Sequence, residues 1–158
     1  MPDILFVCRG NTCRSILAEA IFKRLIQIRQ LGGTFKIASA GTHVHHIGRM
    51  PHKNTIQVGN ENDIDLFDFY AKPINPNNLT AHDYVIAMDK KNISDIRTLS
   101  TTSFIRTHLF LEFSPQLKQD EIVDPYDLNI NDYRHAYNLI MIASMGLLDS
   151  IEQCKRLN

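Results

Sequence analysis

Near its start the chain carries an unbroken apolar run, Ile4-Leu5-Phe6-Val7, the pattern of a strand buried on both faces. Leu17, Ala20, Ile21, Leu25 and Ile28 then recur at helical spacing and predict a helix starting straight after Ser15, with Gly32-Gly33 as its stop. Phe35-Lys36-Ile37-Ala38 reads as a second strand, Tyr84-Val85-Ile86-Ala87-Met88 as a third and His108-Leu109-Phe110-Leu111 as a fourth. Tyr133, Ala136, Tyr137, Ile140, Met141 and Leu148 predict a long final helix. Strands alternating with helices predict an α/β fold: a doubly wound, four-stranded parallel sheet with helices on both faces. The stretch from Asn60 to Leu79, rich in Asn, Asp and Pro, is the least regular and reads as a surface excursion rather than a linker. No internal repeat or low-complexity tract interrupts the chain.

Composition narrows the setting. With 158 residues of which 44% are hydrophobic, the chain suffices for one core of ordinary size, so one domain over residues 1–158 is expected. The formal net charge is zero, which leaves no general electrostatic footprint for nucleic acid or an anionic membrane. The apolar stretch Leu139 to Leu148 is too short to span a bilayer. Three cysteines are an odd number, and without a recognisable secretory signal they suit reduced thiols in the cytoplasm better than a disulfide framework. A monomer is expected, and any anion binding has to be local.

The local chemistry lies in residues 8 to 15, Cys-Arg-Gly-Asn-Thr-Cys-Arg-Ser. The first strand delivers Cys8 into a turn, and the helix opens on the far side. Spacing between one cysteine and one arginine decides nothing by itself, and a buried strand cysteine is the ordinary alternative. The context changes that. Gly10 permits close backbone approach, Asn11 tolerates unusual backbone angles, and the loop runs directly into a helix N-terminus. The backbone N–H groups of Arg9, Gly10, Asn11, Thr12 and Cys13 can then converge on one point that the Arg14 guanidinium also reaches, a nest suited to an oxyanion. Converging amides, a helix N-terminus and a nearby Arg favour a thiolate, so Cys8 is expected as nucleophile. Arg14 offers a planar fork for two phosphate oxygens. Parallel sheets place ligands beyond the carboxyl ends of their strands, near the switch in strand order, where Cys8 falls.

Val7-Cys8-Arg9-Gly10-Asn11-Thr12-Cys13-Arg14-Ser15, followed by Ala18-Glu19-Ala20, resembles the signature of the low-molecular-weight protein tyrosine phosphatases. The likeness continues in family order through Ser39-Ala40-Gly41-Thr42, Met88-Asp89 and Asp124-Pro125-Tyr126, so it spans nearly the whole chain. It implies a flavodoxin-like fold and a metal-independent, cofactor-free phosphomonoester hydrolase that works through a phosphocysteine on Cys8. The substrates it implies are a phosphotyrosine protein or a small aryl phosphate. Asp124 is selected as general acid and base, Asn11 as the residue holding the loop shape, Ser15 as a hydroxyl donor to the sulfur and Tyr126 as an aromatic wall. Taken as a bare Asp-Pro pair, Asp124-Pro125 would read as a turn.

The chain also departs from the family pattern. Asp127 stands where relatives carry an aromatic or a glycine, Thr12 replaces an aliphatic residue, and Ile16 replaces a helix-opening proline. His43, His45 and His46 follow the Ser39–Thr42 motif; one of them, taken as His45, stands where an aromatic ring is usual, giving a less apolar slot. Arg9 and Arg49 would favour acidic flanking residues if they are not simply solvated. His43, His45, His46 and His52 are weighed as metal ligands, but no Cys or carboxylate completes a zinc spacing. Glu61, Asp63, Asp65 and Asp68 lack the glycine and spacing of a calcium loop. Cys13 is a small apolar filler or a partner for reversible oxidation of Cys8, and Cys154 has no assigned role. Two alternatives stay open: an arsenate-reducing thiol enzyme, which would need a further cysteine pair that residues 14–153 do not contain, and a non-catalytic phosphoprotein-binding module.

Overall fold

The computed structural model describes residues 1–100, 102 and 105–157. Its centre is one sheet of four parallel strands, β1 (Asp3–Cys8), β2 (Lys36–Gly41), β3 (Tyr84–Ala87) and β4 (Thr107–Leu109), in the spatial order β2-β1-β3-β4. β1 lies inside the sheet and its residues from Ile4 onward are buried, which is why it reads as a continuous apolar run. Its alternate side chains serve two cores. Ile4, Phe6 and Cys8 pack with α1 (Arg14–Ile28) and α4 (Ile130–Arg156) on one face. Leu5 and Val7 pack with Val85, Ala87, Leu79 and Ile96 on the other. Phe6 joins the first core through ring contacts with Phe22 at 5.7 Å and Phe110 at 5.1 Å. The doubly wound, four-stranded parallel sheet is as the sequence predicts.

Several boundaries differ from expectation. α1 stops before the predicted glycines because Gln30 adopts the left-handed conformation (φ 56°). The Leu31 N–H then bonds to the Ile26 carbonyl and the Gln30 N–H to that of Gln27, a Schellman closure made without glycine. β2 runs three residues further than Ala38, to Gly41. β4 ends at Leu109, and a 3₁₀ turn over Phe110–Phe113 swings Phe110 and Leu111 inward. α4 begins at Ile130, its start fixed by a reciprocal Asn129/Asp132 capping box.

Two helices, α2 (Lys53–Glu61) and α3 (Lys90–Leu99), have no counterpart in the sequence expectations. Each is short and mostly polar, and buries only a few side chains: Thr55, Val58 and Gly59 in α2, Asn92 and Ile96 in α3. The segment 60–79 is corrected as well. It is mostly irregular, but Ile64 and Leu66 belong to the first core and Ile74 and Leu79 to the second. The Lys72 carbonyl accepts from Gly41 N–H at 2.8 Å, so this segment braces the end of β2 beside the loop that follows β1.

Candidate active site

The loop from Cys8 to Arg14 joins the end of β1 to the start of α1 and is shaped from outside. Its carbonyls at Cys8, Arg9 and Thr12 accept from the amides of Thr42 (3.0 Å), His43 (2.9 Å) and His52 (2.9 Å). The Cys13 carbonyl accepts from Leu17 in the first turn of α1. In a planar trans peptide the following N–H points opposite to the carbonyl. The amides of Arg9, Gly10, Cys13 and Arg14 are therefore turned from the scaffold toward the loop interior, the requirement for an anion nest. Asn11 supplies the sharp bend with φ 53°, a conformation Asn tolerates better than most residues. Gly41 is required underneath: a β-carbon there would sit 2.9 Å from the Arg9 carbonyl oxygen and 3.1 Å from Asn11 N. At Gly10 a β-carbon would stand 2.9 Å from the His46 ring, so the glycine lets that ring lie against the loop.

A buried hydrogen-bond chain orients the nucleophile. Asn11 Oδ1 accepts from the Lys72 N–H at 2.8 Å, which fixes the amide so that Nδ2 donates to both Ser15 Oγ and Ser39 Oγ, each at 2.8 Å. Ser39 in turn donates to Glu19 Oε2 at 2.6 Å, and Glu19 is paired with Lys23. Ser15 Oγ, which accepts from Asn11, lies 2.9 Å from Cys8 Sγ and 3.5 Å from the Ala40 carbonyl oxygen, so the sulfur is the nearer of two acceptors for its proton. A hydroxyl donated to sulfur stabilises the thiolate over the thiol. Cys13 is different: burial pushes its thiol up to about 11, and its S–H donates to Tyr133 Oη at 3.7 Å. Burial thus keeps Cys13 a thiol at neutral pH.

Arg14 is almost wholly buried, at 2% exposure. Its Nη1 donates to Asp89 at 2.6 Å and to the Ile122 carbonyl at 2.8 Å, while Nη2 meets Asp124 at 3.0 Å. Burial disfavours its charge, but Cys8, Asp124 and Asp89 outweigh that and its pKa is raised. Nε is buried and has no hydrogen-bond partner among the described residues. The edge of the guanidinium that could grip an oxyanion in bidentate fashion therefore has one donor empty and one held by Asp124. In the sequence Asp89 is marked only as part of the Met88-Asp89 motif. Its Oδ1 caps α3 by accepting from Asn92 N–H at 2.7 Å, and Oδ2 aims Arg14; an Asp before a helical segment was the available signal.

Cys8 and Asp124 open into a crevice of about 590 Å³, and Arg14 lies behind its lining. Cys8, Arg9, Gly10, Thr12 and Cys13 form its floor, His43, His45 and His46 one side, and Val123, Asp124, Tyr126, Asp127 and Leu128 the other. Asn11 and Ser15 do not line it; both act from behind the loop. Asp124 makes the expected turn, its Oδ1 accepting from Tyr126 N–H at 3.3 Å, while Oδ2 faces Arg14. Tyr126 packs between His46 and His52, ring centroids 5.3 Å from each. Arg49 does not line the crevice. Among the described residues no three His, Cys, Asp or Glu side chains are grouped as metal ligands, and no helix is long and apolar enough to cross a membrane.

Comparison with known proteins agrees with this geometry. Residues 3–157 match the family model for low molecular weight phosphotyrosine protein phosphatase. The chain is 34% identical to the low molecular weight protein-tyrosine-phosphatase YfkJ of Bacillus subtilis, over 99% of this chain and 100% of that protein. The crystal structure of YfkJ superposes with a TM-score of 0.89, covering 98% of this chain and 97% of the other at 33% identity. A crystal structure of a protein tyrosine phosphatase from Entamoeba histolytica, with Hepes in its active site, superposes with a TM-score of 0.91 over 98% and 99% of the two chains at 27% identity.

Proposed function

The chain belongs to the low-molecular-weight phosphotyrosine protein phosphatase family, and from that membership we propose that it hydrolyses aryl phosphate monoesters, phosphotyrosine in proteins foremost, through a phosphocysteine on Cys8. The observation that carries this reading is the short contact of Ser15 Oγ with Cys8 Sγ, with the hydroxyl already accepting from Asn11.

In the first step the Cys8 sulfur attacks phosphorus, the S–P bond forms, and the P–O bond to the leaving group breaks. Loop amides and Arg14 hold the non-bridging oxygens as charge shifts onto them. The arriving dianion competes with Asp124 for Nη2 of Arg14. Asp124, once released and protonated, gives its proton to the leaving oxygen. In the second step Asp124 takes a proton from water, water oxygen attacks phosphorus, the S–P bond breaks and inorganic phosphate leaves. Ser15 stabilises the departing sulfur. Tyr126, His45 and His46 flank the bound aryl group, and Asp127 makes the slot more polar than an all-aromatic one. A reducing compartment such as the cytoplasm is part of the same proposal, since the nucleophile works only with its sulfur reduced, and so is action as a monomer, since every group in the proposed reaction comes from one chain.

The test is steady-state hydrolysis of 4-nitrophenyl phosphate and phenyl phosphate in the presence of a chelator. Cys8→Ser should lower kcat at least about 10³-fold on both substrates. Asp124→Ala should lower kcat on phenyl phosphate, the poorer leaving group, by about 10²-fold or more and on 4-nitrophenyl phosphate by much less. Full activity in Cys8→Ser would overturn the mechanism.

A further inference from the structure

We propose that His52 is a positioning residue whose imidazole, set between Tyr133 and Tyr126, holds the segment bearing Asp124 in register with the phosphate loop. The inference rests on Asp124 being the general acid.

Three parts of the chain meet at this side chain. Its backbone N–H donates to the Thr12 carbonyl in the phosphate loop at 2.9 Å. Its ring stacks on Tyr133 of α4, centroids 5.2 Å apart and planes 18° apart. The same ring meets Tyr126 at 5.3 Å and 60°, and His46 closes the other side of Tyr126 at 5.3 Å and 43°. Tyr133 Oη donates to the Tyr126 carbonyl at 3.2 Å, so Tyr126 is fixed by backbone and ring together. Asp124 lies two residues away across Pro125, whose ring fixes one backbone angle. Movement of the Tyr126 ring therefore passes to the carboxyl with little slack. Val123 is 70% exposed and Tyr126 to Leu128 are exposed, while Pro125 is buried, so the stack restrains the segment together with the packing of Pro125 and the Asp124–Arg14 pair.

The imidazole also has a second, separable job. Nδ1 accepts from Asn54 N–H at 3.2 Å and caps α2, which requires the neutral ring with its proton on Nε2. Burial, then Lys53 and His46, disfavour a proton on His52, while Asp127 favours one. Tyr126 and Tyr133 also face it, through ring contacts.

Two substitutions split the jobs. H52N keeps a capping acceptor and loses the ring; H52F keeps the ring and loses the acceptor. Each is compared with wild type for kcat and KM on phenyl phosphate and 4-nitrophenyl phosphate, and for thermal unfolding. H52N should lose about tenfold in kcat on phenyl phosphate and less than about twofold on 4-nitrophenyl phosphate, with KM unchanged. H52F should restore most of that loss while unfolding at a lower temperature than wild type. In an Asp124→Ala background H52N should cost nothing further on phenyl phosphate. The proposal is overturned if H52N matches wild type on both substrates, if its loss is the same for both leaving groups, or if the loss persists without Asp124. Wild-type turnover that does not depend on Cys8 would instead remove the phosphatase mechanism, and this role with it.

Discussion

The two sides of the crevice are built to opposite specifications. Apart from Arg9 and Gly10 the phosphate loop is buried, its carbonyls are tied to four neighbouring amides, and the Asn11 amide uses its oxygen and its nitrogen in fixed directions. The segment Val123–Leu128 is largely exposed and is held by a few contacts: the Asp124–Arg14 pair, the Tyr133–Tyr126 bond and stacked rings. The difference follows from the chemistry. A nest that stabilises a sulfur anion and a flattening phosphoryl group works by being preorganised, because reorientation during the reaction would cost what the nest supplies. A general acid that rests on the arginine has to leave it when phosphate arrives, so the Asp124 side chain needs a freedom the loop does not, while the rings of His52, Tyr126 and His46 keep its backbone in register.

The contrast is sharpest in a pair of substitutions. Asn11→Ala strips donors and acceptors from a buried chain and puts Ala at a positive φ, so it should destabilise by about 3 kcal/mol. It should also lower kcat roughly tenfold or more on every leaving group, because Ser15 and the loop lose their orientation. Asp124→Ala should show the opposite profile, with a smaller fall in thermal stability and a kcat defect that grows with leaving-group basicity. Equal leaving-group dependence in the two variants, measured over a series of substituted phenyl phosphates, would erase the distinction between the two sides.

A smaller effect concerns His52. Its folded-state pKa is lowered, chiefly by burial, so folding favours the neutral ring. The stability this contributes is fully present above the usual imidazole value of about 6.5 and is lost as pH falls through the lower folded value. Melting temperature should therefore fall more steeply below about pH 6.5 in wild type than in H52F. Parallel curves from calorimetry would count against a neutral, buried imidazole at this position.

The legibility of the sequence divides along the same line. Cys8 and Arg14 were readable because a fully buried strand, a turn with Gly10 and Asn11, and a helix follow one another without a gap. β1 and β3 are readable because each is a nearly unbroken apolar run, whereas β2, with Lys36 and Ser39, and β4, Thr107-His108-Leu109, carry a weaker signal and their ends fall elsewhere than expected. α2 and α3 are not readable, because they are only 9 and 10 residues long and mostly polar, so two or three apolar positions in each are too few to establish a period. Glu19 and Ser39 appeared only as motif residues. Their joint role needs α1 laid beside β2, a contact that no local pattern encodes. Lys72 was lost inside a segment read as a surface excursion, since its contribution is a backbone N–H that carries no side-chain signature. Likewise, the placement of Asp124 on Arg14 and of Tyr126 between two histidines depends on how the acid segment packs across the crevice.

The central claim is that sulfur, not water, attacks phosphorus first. Acid quenching of the enzyme during turnover of 4-nitrophenyl phosphate, followed by peptide mass spectrometry, tests it directly. The account predicts a phosphoryl group on the peptide containing Cys8, accumulating further in a variant with slowed second-step proton transfer such as Asp124→Asn. Turnover at full rate with no phosphoryl group on Cys8, or with the group on another residue, would contradict it.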